Sequence, residues 1–214
     1  MISPVNPPQK WPLRRAKAKE TRAAVIAAAA ALFVERGYEG TSVQAVADRA
    51  GVSRATVFNS VGGKPALLRI AYDVATVGDE EPVPLPQRPE ARAVVDEPDP
   101  IRAVELYAAM VTKVGGRLVG IYEVFRAAAR ADAAIRNEWE QIQQERLGGA
   151  RGFVRILAAK GPLQSDLDIE RAGDVVWTLI DTSLYQRLVV ERGWDPVEFR
   201  TWLARRICAE LLPT

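Results

Sequence analysis

One stretch of the chain constrains the fold more than any other, and it runs from residue 41 to residue 64 as TSVQAVADRAGVSRATVFNSVGGK. Apolar residues recur at i, i+3, i+4 and i+7 from Val43 to Ala50, which places them on one face of a helix. Thr41 or Ser42 precedes this stripe, and both are residue types that cap the amino end of a helix. The stretch is therefore predicted to begin with a short, capped helix that has one apolar face.

A second helix is predicted after a very short turn. Gly51 comes just past the last apolar position, where a glycine adopts the left-handed conformation at little cost and ends the helix. Ser53 is a good N-cap for the next helix, which is expected to run to about Val61 with Val57 on its inward face. The residues left on the outer face, at or near the amino end, are Arg54, Ala55, Thr56 and Asn59. In a helix-turn-helix this end contacts base edges, whereas an ordinary helical hairpin is the alternative from spacing alone.

The residues before this stretch indicate a third helix, over residues 20–37. Its apolar stripe comprises Val25, Ala28, Ala29, Leu32 and Phe33. Three helices in so short a segment make a compact unit. With this flank included, residues 17–72 resemble the N-terminal domain of the tetracycline-repressor (TetR) family of bacterial transcription regulators, and the matching pattern is TRAAVIAAAAALFVERGYEGTSVQAVADRAGVSRATVFNSVGGKPALL.

The resemblance implies a helix-turn-helix domain that binds an operator in double-stranded DNA. Base contacts are expected from Arg54 or Thr56. Phosphate contacts are expected mainly from Lys64, Thr41 and Asn59. The full set of candidate DNA contacts is Thr41, Ser42, Gln44, Ser53, Arg54, Ala55, Thr56, Phe58, Asn59 and Lys64.

The chain departs from the family pattern at the end of the recognition helix. The family usually has a tyrosine and a phenylalanine there, separated by two residues, and the corresponding residues are Phe58 and Val61. Phe58 lacks the hydroxyl that commonly donates a hydrogen bond to a phosphate. Packing is therefore the alternative role for its ring.

The charges are divided between two parts of the chain. Residues 1–72 carry eleven Lys and Arg against four Asp and Glu, a formal charge of +7, and the remainder carries eighteen against twenty-three, a charge of −5. A basic N-terminal unit suits a polyphosphate partner, although a solvated basic face is the alternative. Near the N-terminus, candidates for phosphate or minor-groove contacts are Lys10, Arg14, Arg15, Lys17 and Lys19.

Cysteine and histidine usage excludes several kinds of site. The chain has one cysteine, Cys208, and no histidine, so an intrachain disulfide, a histidine-based catalytic triad and a cysteine- or histidine-cluster zinc site are ruled out. No cofactor and no metal are expected. No apolar window of about 18 residues and no signal-peptide core are present, so a cytoplasmic location without a membrane partner is expected.

Shifts in composition predict the domain organisation. Residues 78–100 contain six prolines and seven acidic residues, which exclude a long regular helix and mark a linker, although a short helix over residues 89–95 is compatible with it. The predicted segments are a flexible basic arm at 1–16, a helix-turn-helix domain at 17–64, a connecting helix at 65–77, a linker at 78–100 and a ligand-binding and dimerisation domain at 101–214.

The segment after the linker is predicted to be helical throughout, and no alternating stretch calls for a strand, so the fold class is all-α. Gly115 and Gly116 are expected to end or kink one helix, and Gly148 and Gly149 are expected to bend a longer one. Residues 168–193 are predicted to form one helix capped by the first of them. A last helix is expected to open at Asp195 with a proline in its first turn.

The last two predicted helices carry more apolar surface than a terminal hairpin needs. Burial within the same chain is one explanation, and a four-helix interface with a second copy of the chain is the other. The resemblance favours a homodimer, since family members dimerise through their final two long helices. Candidate interface residues are Val176, Ile180, Leu184, Leu188, Phe199, Trp202 and Leu203.

A ligand pocket among the later helices would be lined mainly by apolar and aromatic side chains. The candidates are Tyr107, Met110, Val114, Arg117, Tyr122, Phe125, Trp139, Trp177, Asp181 and Tyr185. Core packing is the alternative role for most of them. Arg117 and Asp181 would set the polarity of the ligand if they point inward.

The resemblance implies a homodimeric transcription regulator, most often a repressor, that releases a palindromic operator when a small-molecule effector binds. A helical enzyme is a second hypothesis, but no two polar pocket candidates have a spacing diagnostic of catalysis, so the chain is expected not to be an enzyme. A sequence-independent architectural DNA binder is a third. A regulator keeps a specific preference of about 10³ or more at physiological salt, and an architectural protein does not.

Overall fold

The computed structural model describes residues 10–164 and 167–213, with side chains from residue 14 onward. Within these ranges it contains helices and no strand, which confirms the all-α fold class. The chain divides into two compact units, residues 1–71 and residues 72–214, and the division falls inside a helix. The proline-rich segment 78–100, which the composition marks as a linker, therefore lies within the second unit.

The N-terminal unit is built from α1 (Lys10–Arg36), α2 (Val43–Ala50), α3 (Arg54–Ser60) and the first part of α4 (Lys64–Val77). Because α1 begins at Lys10, residues 10–16 continue the helix and do not form part of a flexible arm. Leu13, Arg14, Arg15 and Ala16 are good helix formers, and Pro12 lies in the first turn of α1, where a proline is tolerated. Residues 1–9, which complete the predicted arm, lie outside the described residues.

The two short helices of this unit depend on burial for their stability. α2 has 8 residues and α3 has 7, and isolated helices of that length are marginal in water. Side chains with at most 3% exposure include Val25, Ile26, Ala29, Leu32 and Phe33 of α1, Val46 and Ala47 of α2, Val57 of α3, and Leu67, Leu68 and Ala71 of α4. Burying one Val, Leu or Phe side chain contributes about 1.5–3 kcal/mol, so this shared core holds α2 and α3 in place.

The C-terminal unit contains the end of α4 and six further helices within the described residues, which are α5 (Pro89–Asp96), α6 (Pro100–Ala131), α7 (Ala133–Ala158), α8 (Ile169–Leu179), α9 (Thr182–Tyr185) and α10 (Pro196–Leu211). A 3₁₀ turn spans Leu85–Gln87, and a π-helical segment spans Gln186–Glu191. The short helix compatible with residues 89–95 is present as α5. α6 is the central element, since it packs against α5, α7, α9 and α10.

The core of this unit is apolar and aromatic. Tyr107 stacks on Phe153 with ring centroids 3.7 Å apart and an interplanar angle of 5°. Side chains with 0% exposure include Val104, Val154, Leu157, Val176, Leu203, Ile207 and Leu211. Among the described helices, none combines the length and the apolar composition needed to cross a membrane.

α6 is continuous over 32 residues, so the prediction that Gly115 and Gly116 end a helix is wrong. The two glycines allow a close approach instead. A Cβ atom on Gly115 would lie 3.0 Å from Cδ2 of Tyr185, and one on Gly116 would lie 3.2 Å from the Tyr185 hydroxyl oxygen. The Tyr185 ring occupies the groove that the missing side chains leave, and its other side meets Phe199 in a T-shaped contact at 5.3 Å. α7 runs through Gly148 and Gly149 in the same uninterrupted way.

The single helix predicted over residues 168–193 is divided into three pieces. Asp168 caps α8 as predicted, accepting a hydrogen bond at 2.7 Å from a backbone N–H of the first turn. After α8 ends, Asp181 caps α9 by accepting a bond at 2.9 Å from the N–H of Ser183, and the π-helical segment follows. An aspartate that bonds the backbone two residues on competes with helix continuation, which explains the break. Asp195 caps α10, as predicted.

A pair of glycine substitutions tests the close approach to α6. Gly115→Leu is expected to lower the free energy of unfolding by about 1–3 kcal/mol, because the added atoms meet the Tyr185 ring. Gly148→Ala is the matched change in an open helical position, where nothing lies within 4 Å of an added Cβ. It is expected to raise the free energy of unfolding by about 0.5–1 kcal/mol. Urea unfolding followed by circular dichroism measures both, and a Gly115→Leu variant as stable as the wild type would contradict the packing.

Candidate nucleic-acid interface and ligand site

The turn between α2 and α3 has the helix-turn-helix form that the sequence predicts. Ser42 caps α2, and its Oγ accepts a hydrogen bond from the N–H of Ala45 at 3.1 Å. Gly51 ends α2 with a φ of +67°, in the left-handed region that favours glycine. Ser53 caps α3, and its Oγ accepts a hydrogen bond from the N–H of Thr56 at 3.1 Å. The two helices are therefore separated only by residues 51–53.

α3 is anchored on its inner side. Val57 is 0% exposed, as are Val46 and Ala47 of α2, and both α1 and α2 pack against α3. The Arg22 guanidinium of α1 donates a hydrogen bond to the carbonyl oxygen of Ser60, the last residue of α3. These contacts fix the orientation of α3 within the unit and leave its outer face exposed.

The outer face of α3 carries the predicted base-contacting residues. Exposed side chains on and next to it are Ser53, Arg54, Ala55, Phe58 and Asn59. Phe58 is 45% exposed, and Cζ of Arg54 lies 5.6 Å from the centroid of its ring. This cation–π contact supports the guanidinium one turn earlier on the same face. Thr56 is half-buried and its hydroxyl lies 2.8 Å from that of Ser53, so Arg54 is the more accessible of the two predicted base readers.

Four of the predicted flanking contacts remain accessible. Lys64 is the first residue of α4, and its Nζ lies 4.1 Å from the ring centroid of Tyr38. Asn59, Ser42 and Gln44 are exposed. The Gln44 amide nitrogen donates a hydrogen bond at 2.7 Å to a carboxylate one turn later on α2. Ser42 and Gln44 thus already use their side chains in hydrogen bonds within α2, whereas Lys64 contacts an aromatic ring and Asn59 is exposed.

Thr41 does not fit its predicted role in phosphate binding. It is 2% exposed, and its hydroxyl lies 2.8 Å from the carbonyl oxygen of Gly37 and 3.1 Å from that of Leu32. The hydroxyl proton is therefore committed to backbone carbonyls beneath the surface. Thr41 holds the connection between α1 and α2, and we correct the prediction accordingly.

Comparison with known proteins bears directly on this turn. The sequence profile of the family described as "Bacterial regulatory proteins, tetR family" matches residues 25–70, the segment that carries α2, the turn and α3. Residues 25–70 therefore carry the DNA-binding domain of TetR-family regulators. The relatives of the chain include the uncharacterized HTH-type transcriptional regulator YdeS of Bacillus subtilis (strain 168), which is 25% identical over 165 residues, or 76% of this chain and 77% of that protein.

Solved structures share the fold along most of the chain. NalD, the secondary repressor of the MexAB-OprM multidrug efflux pump in Pseudomonas aeruginosa, matches with a TM-score of 0.69 and 21% identity, covering 91% of this chain and 98% of that chain. The regulator FadR from Bacillus subtilis, solved in complex with stearoyl-CoA, matches with a TM-score of 0.64 and 16% identity, covering 86% and 96%. The similarity in fold to these two regulators therefore extends beyond the DNA-binding domain to the C-terminal unit.

In the C-terminal unit, the residues predicted to bind a ligand fall into three groups. Tyr107 and Tyr185 belong to the core, where they are 7% and 8% exposed and pack on Phe153 and Phe199 respectively. Burial raises the pKa of Tyr107, so this phenol stays neutral. The alternative role in packing, left open by the sequence, applies to these two tyrosines.

The second group forms an aromatic cluster between α6 and α7. Tyr122 and Trp139 meet edge to face with centroids 5.0 Å apart, and Phe125 lies 5.8 Å from the same tryptophan. Cζ of Arg146 lies 5.8 Å from the ring of Trp177 on α8. These side chains bring three helices together around one guanidinium.

A polar network sits at the edge of this cluster. The Tyr122 hydroxyl donates to Oδ2 of Asp181 at 2.8 Å, and Nη1 of Arg146 lies 3.1 Å from the same oxygen. Burial by itself raises the pKa of Asp181, but the hydrogen bonds from Ser183, the Arg146 charge and the Tyr122 hydroxyl outweigh it and hold that pKa below its ordinary value. Asp181 thus points inward and stays ionised while it caps α9.

Arg146 is the residue of this network that the sequence analysis did not single out. Its side chain is only 13% exposed, and it also donates to Oε1 of Gln143 at 2.7 Å. A signal was present, because Arg146 lies seven residues after Trp139 and so shares the inward face of α7. The sequence does not show which residue faces Arg146, so a buried arginine on that stripe cannot be distinguished from an exposed one.

The third group lines a cavity. Met110, Val114 and Arg117 contribute to a space of about 310 Å³ bounded by the end of α4, the residues that follow it, the start of α5 and α6. Small-molecule sites have volumes of roughly 300–1,000 Å³, so this space is at the lower end of that range. Arg117 is exposed and lies at the edge of the cavity, so it does not point into the core.

The residues predicted for a dimer interface are of two kinds. Val176, Phe199 and Leu203 are at most 2% exposed in the chain itself, so they belong to its own core, and we remove them from the predicted interface. The predicted residues that remain partly exposed are Ile180, Leu184, Leu188 and Trp202. Near them lie the exposed Val190 and Val197, with 54% and 56% exposure.

The Asp181 network predicts an acid-sensitive part of the stability. Because the folded-state pKa of Asp181 is lowered, its carboxylate contributes stability above about pH 4, and this contribution is lost as the pH falls through the folded pKa. Asp181→Asn is expected to be less stable by about 1–3 kcal/mol at pH 7 and to lose less stability than the wild type on acidification. Asp195→Asn, at an exposed helix cap, is the matched control. Urea unfolding between pH 3 and pH 7 is the measurement, and parallel pH profiles for wild type and Asp181→Asn would contradict the network.

Proposed function

We propose that the chain is a homodimeric transcriptional repressor that binds a palindromic operator through its helix-turn-helix and releases it when a small-molecule effector binds the C-terminal unit. The observation that carries the proposal is the outer face of α3, which a doubly capped turn and a buried inner side hold open to solvent. No catalytic step belongs to this function. The protein acts where its operator is, in the cytoplasm.

The relatives support both halves of the proposal. NalD is a repressor, and the FadR structure contains stearoyl-CoA, so the same fold serves repression in one protein and holds a small molecule in another. The carboxylates, tyrosines and arginines of the C-terminal unit would then serve recognition of the effector. Its identity follows from the chemistry of the site that binds it.

Arg54 is the proposed base reader. It lies at the amino end of α3, its guanidinium is exposed, and Phe58 supports it from the next turn. An arginine on a recognition helix makes its commonest specific contact with guanine O6 and N7. Lys64 and Asn59 are the proposed phosphate contacts, and they lie in the part of the chain that carries a formal charge of +7.

Dimerisation would involve the partly exposed apolar residues of the last helices. Two recognition helices reach successive major grooves only when their centres are about 34–36 Å apart, so a two-fold dimer selects a palindromic operator. Ile180, Leu184, Leu188 and Trp202 leave apolar surface that a second copy would cover. The dimer interface would be smaller than the sequence alone suggests, because three of the seven predicted interface residues are already buried in the chain.

α4 is the proposed route of the signal. It is one continuous helix of 14 residues that begins in the N-terminal unit and ends in the C-terminal unit. A ligand shifts such an equilibrium only by binding one state more tightly, and a coupling of about 1–3 kcal/mol would weaken operator binding by roughly 5- to 150-fold. By linkage, operator DNA weakens effector binding by the same factor.

Operator selection from a random DNA pool, followed by titrations in varied salt, tests DNA recognition. Arg54→Ala is expected to weaken operator binding by about 1–3 kcal/mol and to relax the preference at one base pair, because a base contact is lost. Lys64→Ala is expected to weaken all sequences alike and to reduce the salt slope by about one. Arg102→Ala, on the exposed side of α6, is the matched control. If the pool yields no preferred sequence, or Arg54→Ala keeps every preference, the proposal fails.

Sedimentation equilibrium with circular dichroism tests dimerisation. Leu184→Glu is expected to give a folded monomer, since an unpaired carboxylate in an apolar interface costs several kcal/mol. Leu203→Glu is expected to unfold the chain, because Leu203 is 0% exposed in its own core. Val95→Glu, at a 49% exposed position on α5, should leave the dimer unchanged. A well-folded wild-type monomer at micromolar concentration would refute the dimer.

A further inference from the structure

The cavity at the end of α4 has an excess of positive charge. Its lining includes three basic side chains, Arg88, Lys113 and Arg117, and two acidic ones, Asp79 and Glu90. The local balance is therefore positive, although the C-terminal unit as a whole has a formal charge of −5. A concave space with a local excess of one sign attracts a ligand of the other sign.

Two of the three cations already have a carboxylate partner. Arg88 binds Asp79 through two nitrogens, at 2.6 and 2.7 Å. Nζ of Lys113 lies 2.7 Å from Oε1 of Glu90, and this hydrogen bond lowers the pKa of Glu90, which therefore stays ionised. Arg117 forms no salt bridge in the part of the chain that the structure describes, although its charge also helps to lower the pKa of Glu90. The excess charge of the lining is therefore assigned to Arg117.

Arg117 binds the backbone of α4 instead. Its Nε donates to the carbonyl oxygen of Ala75 at 3.0 Å, and its Nη2 donates to that of Thr76 at 2.7 Å. Gly78 makes room for this contact, since a Cβ there would lie 3.2 Å from Cζ and Nη1 of the guanidinium. The last carbonyls of a helix have no partner within the helix, and a cation at that end is favourable. Arg117 is thus a cap on the carboxyl end of α4.

The same guanidinium retains donors for a ligand. Arginine has five N–H donors, and the two carbonyls take the one on Nε and one of the two on Nη2. One N–H of Nη2 and both N–H groups of Nη1 remain for a ligand. A carboxylate matches two parallel donors of this kind. Met110 and Val114 line the same space and suit a short apolar body. A dianion is disfavoured, because Asp79 and Glu90 are also in the lining.

We propose that this cavity binds a small monocarboxylate through Arg117, with Lys113 beside it, and that this molecule is the effector of the regulator. Only one part of this inference, that the carboxylate is the effector, rests on the proposed function. The ligand class follows from the cavity, from Arg117 as the lining cation that forms no salt bridge, and from the apolar side chains next to it.

Arg117 also explains how such a ligand acts on α4. The carboxyl end of a helix carries partial negative charge, so an anion bound to the capping guanidinium opposes the contact between Arg117 and the α4 carbonyls. Ligand binding therefore favours the state in which the end of α4 is released from Arg117. Because α4 starts at Lys64 in the DNA-binding unit, this release is coupled to operator affinity with a negative sign.

Calorimetric titration of the full-length protein in physiological salt, without DNA, tests the site. The probes are acetate, hexanoate and benzoate, with benzamide as the uncharged counterpart of benzoate. We expect at least one carboxylate to bind and benzamide not to bind. R117Q is expected to weaken carboxylate binding roughly 10- to 100-fold, and R117K is expected to lie between R117Q and the wild type, because it keeps the charge and loses the fork.

R102Q is the matched control for these variants. Arg102 is on α6 too, is exposed, and pairs with Glu105 at 2.7 Å. Its carboxylate affinity should equal that of the wild type. Circular dichroism establishes that each variant is folded, and R117K keeps the test valid should R117Q not fold. The proposal is overturned if none of the three carboxylates binds the wild type. It is also overturned if wild type, R117K and R117Q bind a carboxylate with equal affinity.

Operator titration with and without the bound carboxylate separates this inference from the proposed function. We expect the carboxylate to weaken operator binding by the wild type and R102Q and to leave that of R117Q unchanged. Arg117-dependent carboxylate binding without any specific DNA binding would refute the proposed function and leave the site standing. Specific DNA binding that no carboxylate alters would refute the regulatory role of Arg117 and leave the proposed function standing.

Discussion

The close approach of the Tyr185 ring to the bare backbone of α6 at Gly115 and Gly116 is the contact on which the C-terminal unit depends. α6 packs against four other helices, and a side chain at Gly115 would meet the Tyr185 ring of α9. Tyr185 reaches this groove because α8 stops and the chain restarts at Asp181. The Asp181 carboxylate in turn is held by Tyr122 and Arg146, so one helix break, one ion pair and one pair of glycines form a single arrangement.

The DNA-binding unit solves a different problem, which is to hold a very short helix with one side open. α3 has only 7 residues, so its stability comes from the burial of Val57 and from its cap. The same constraint explains Thr41, whose hydroxyl is used beneath the surface to join α1 and α2. Rigid support from the inner side leaves Arg54 and Phe58 free on the outer side, where a DNA contact is needed.

α4 takes part in both units, and its two ends differ in chemistry. Its first residue, Lys64, belongs to the basic N-terminal unit, and its last turn meets the guanidinium of Arg117. When one arginine caps a helix end, an anion that binds this arginine weakens its contact with the last carbonyls of the helix. In the proposed mechanism, Arg117 alone controls the end of this continuous helix, within a unit that has a formal charge of −5.

Local patterns in the sequence determined most of the elements. The serines and aspartates that precede α2, α3, α8 and α10 cap them as predicted, and the glycine turn fixes the helix-turn-helix, because these signals act within a few residues of the chain. Glycines were harder to interpret. Gly51 ends a helix whereas Gly115 does not, and only the ring of Tyr185, seventy residues away along the chain, distinguishes the two.

Tertiary structure decided which polar and apolar side chains meet. Leu203 and Leu184 are both leucines that the sequence predicts for the dimer interface, yet the first is buried in its own chain and the second is partly exposed. Arg146 and Arg117 each lie on a long helix with several other arginines, yet Arg146 pairs with the half-buried carboxylate of Asp181 whereas Arg117 caps a helix end. Periodicity specifies which face of a helix turns inward, but the partner on that face is set by long-range packing, which no window of sequence contains.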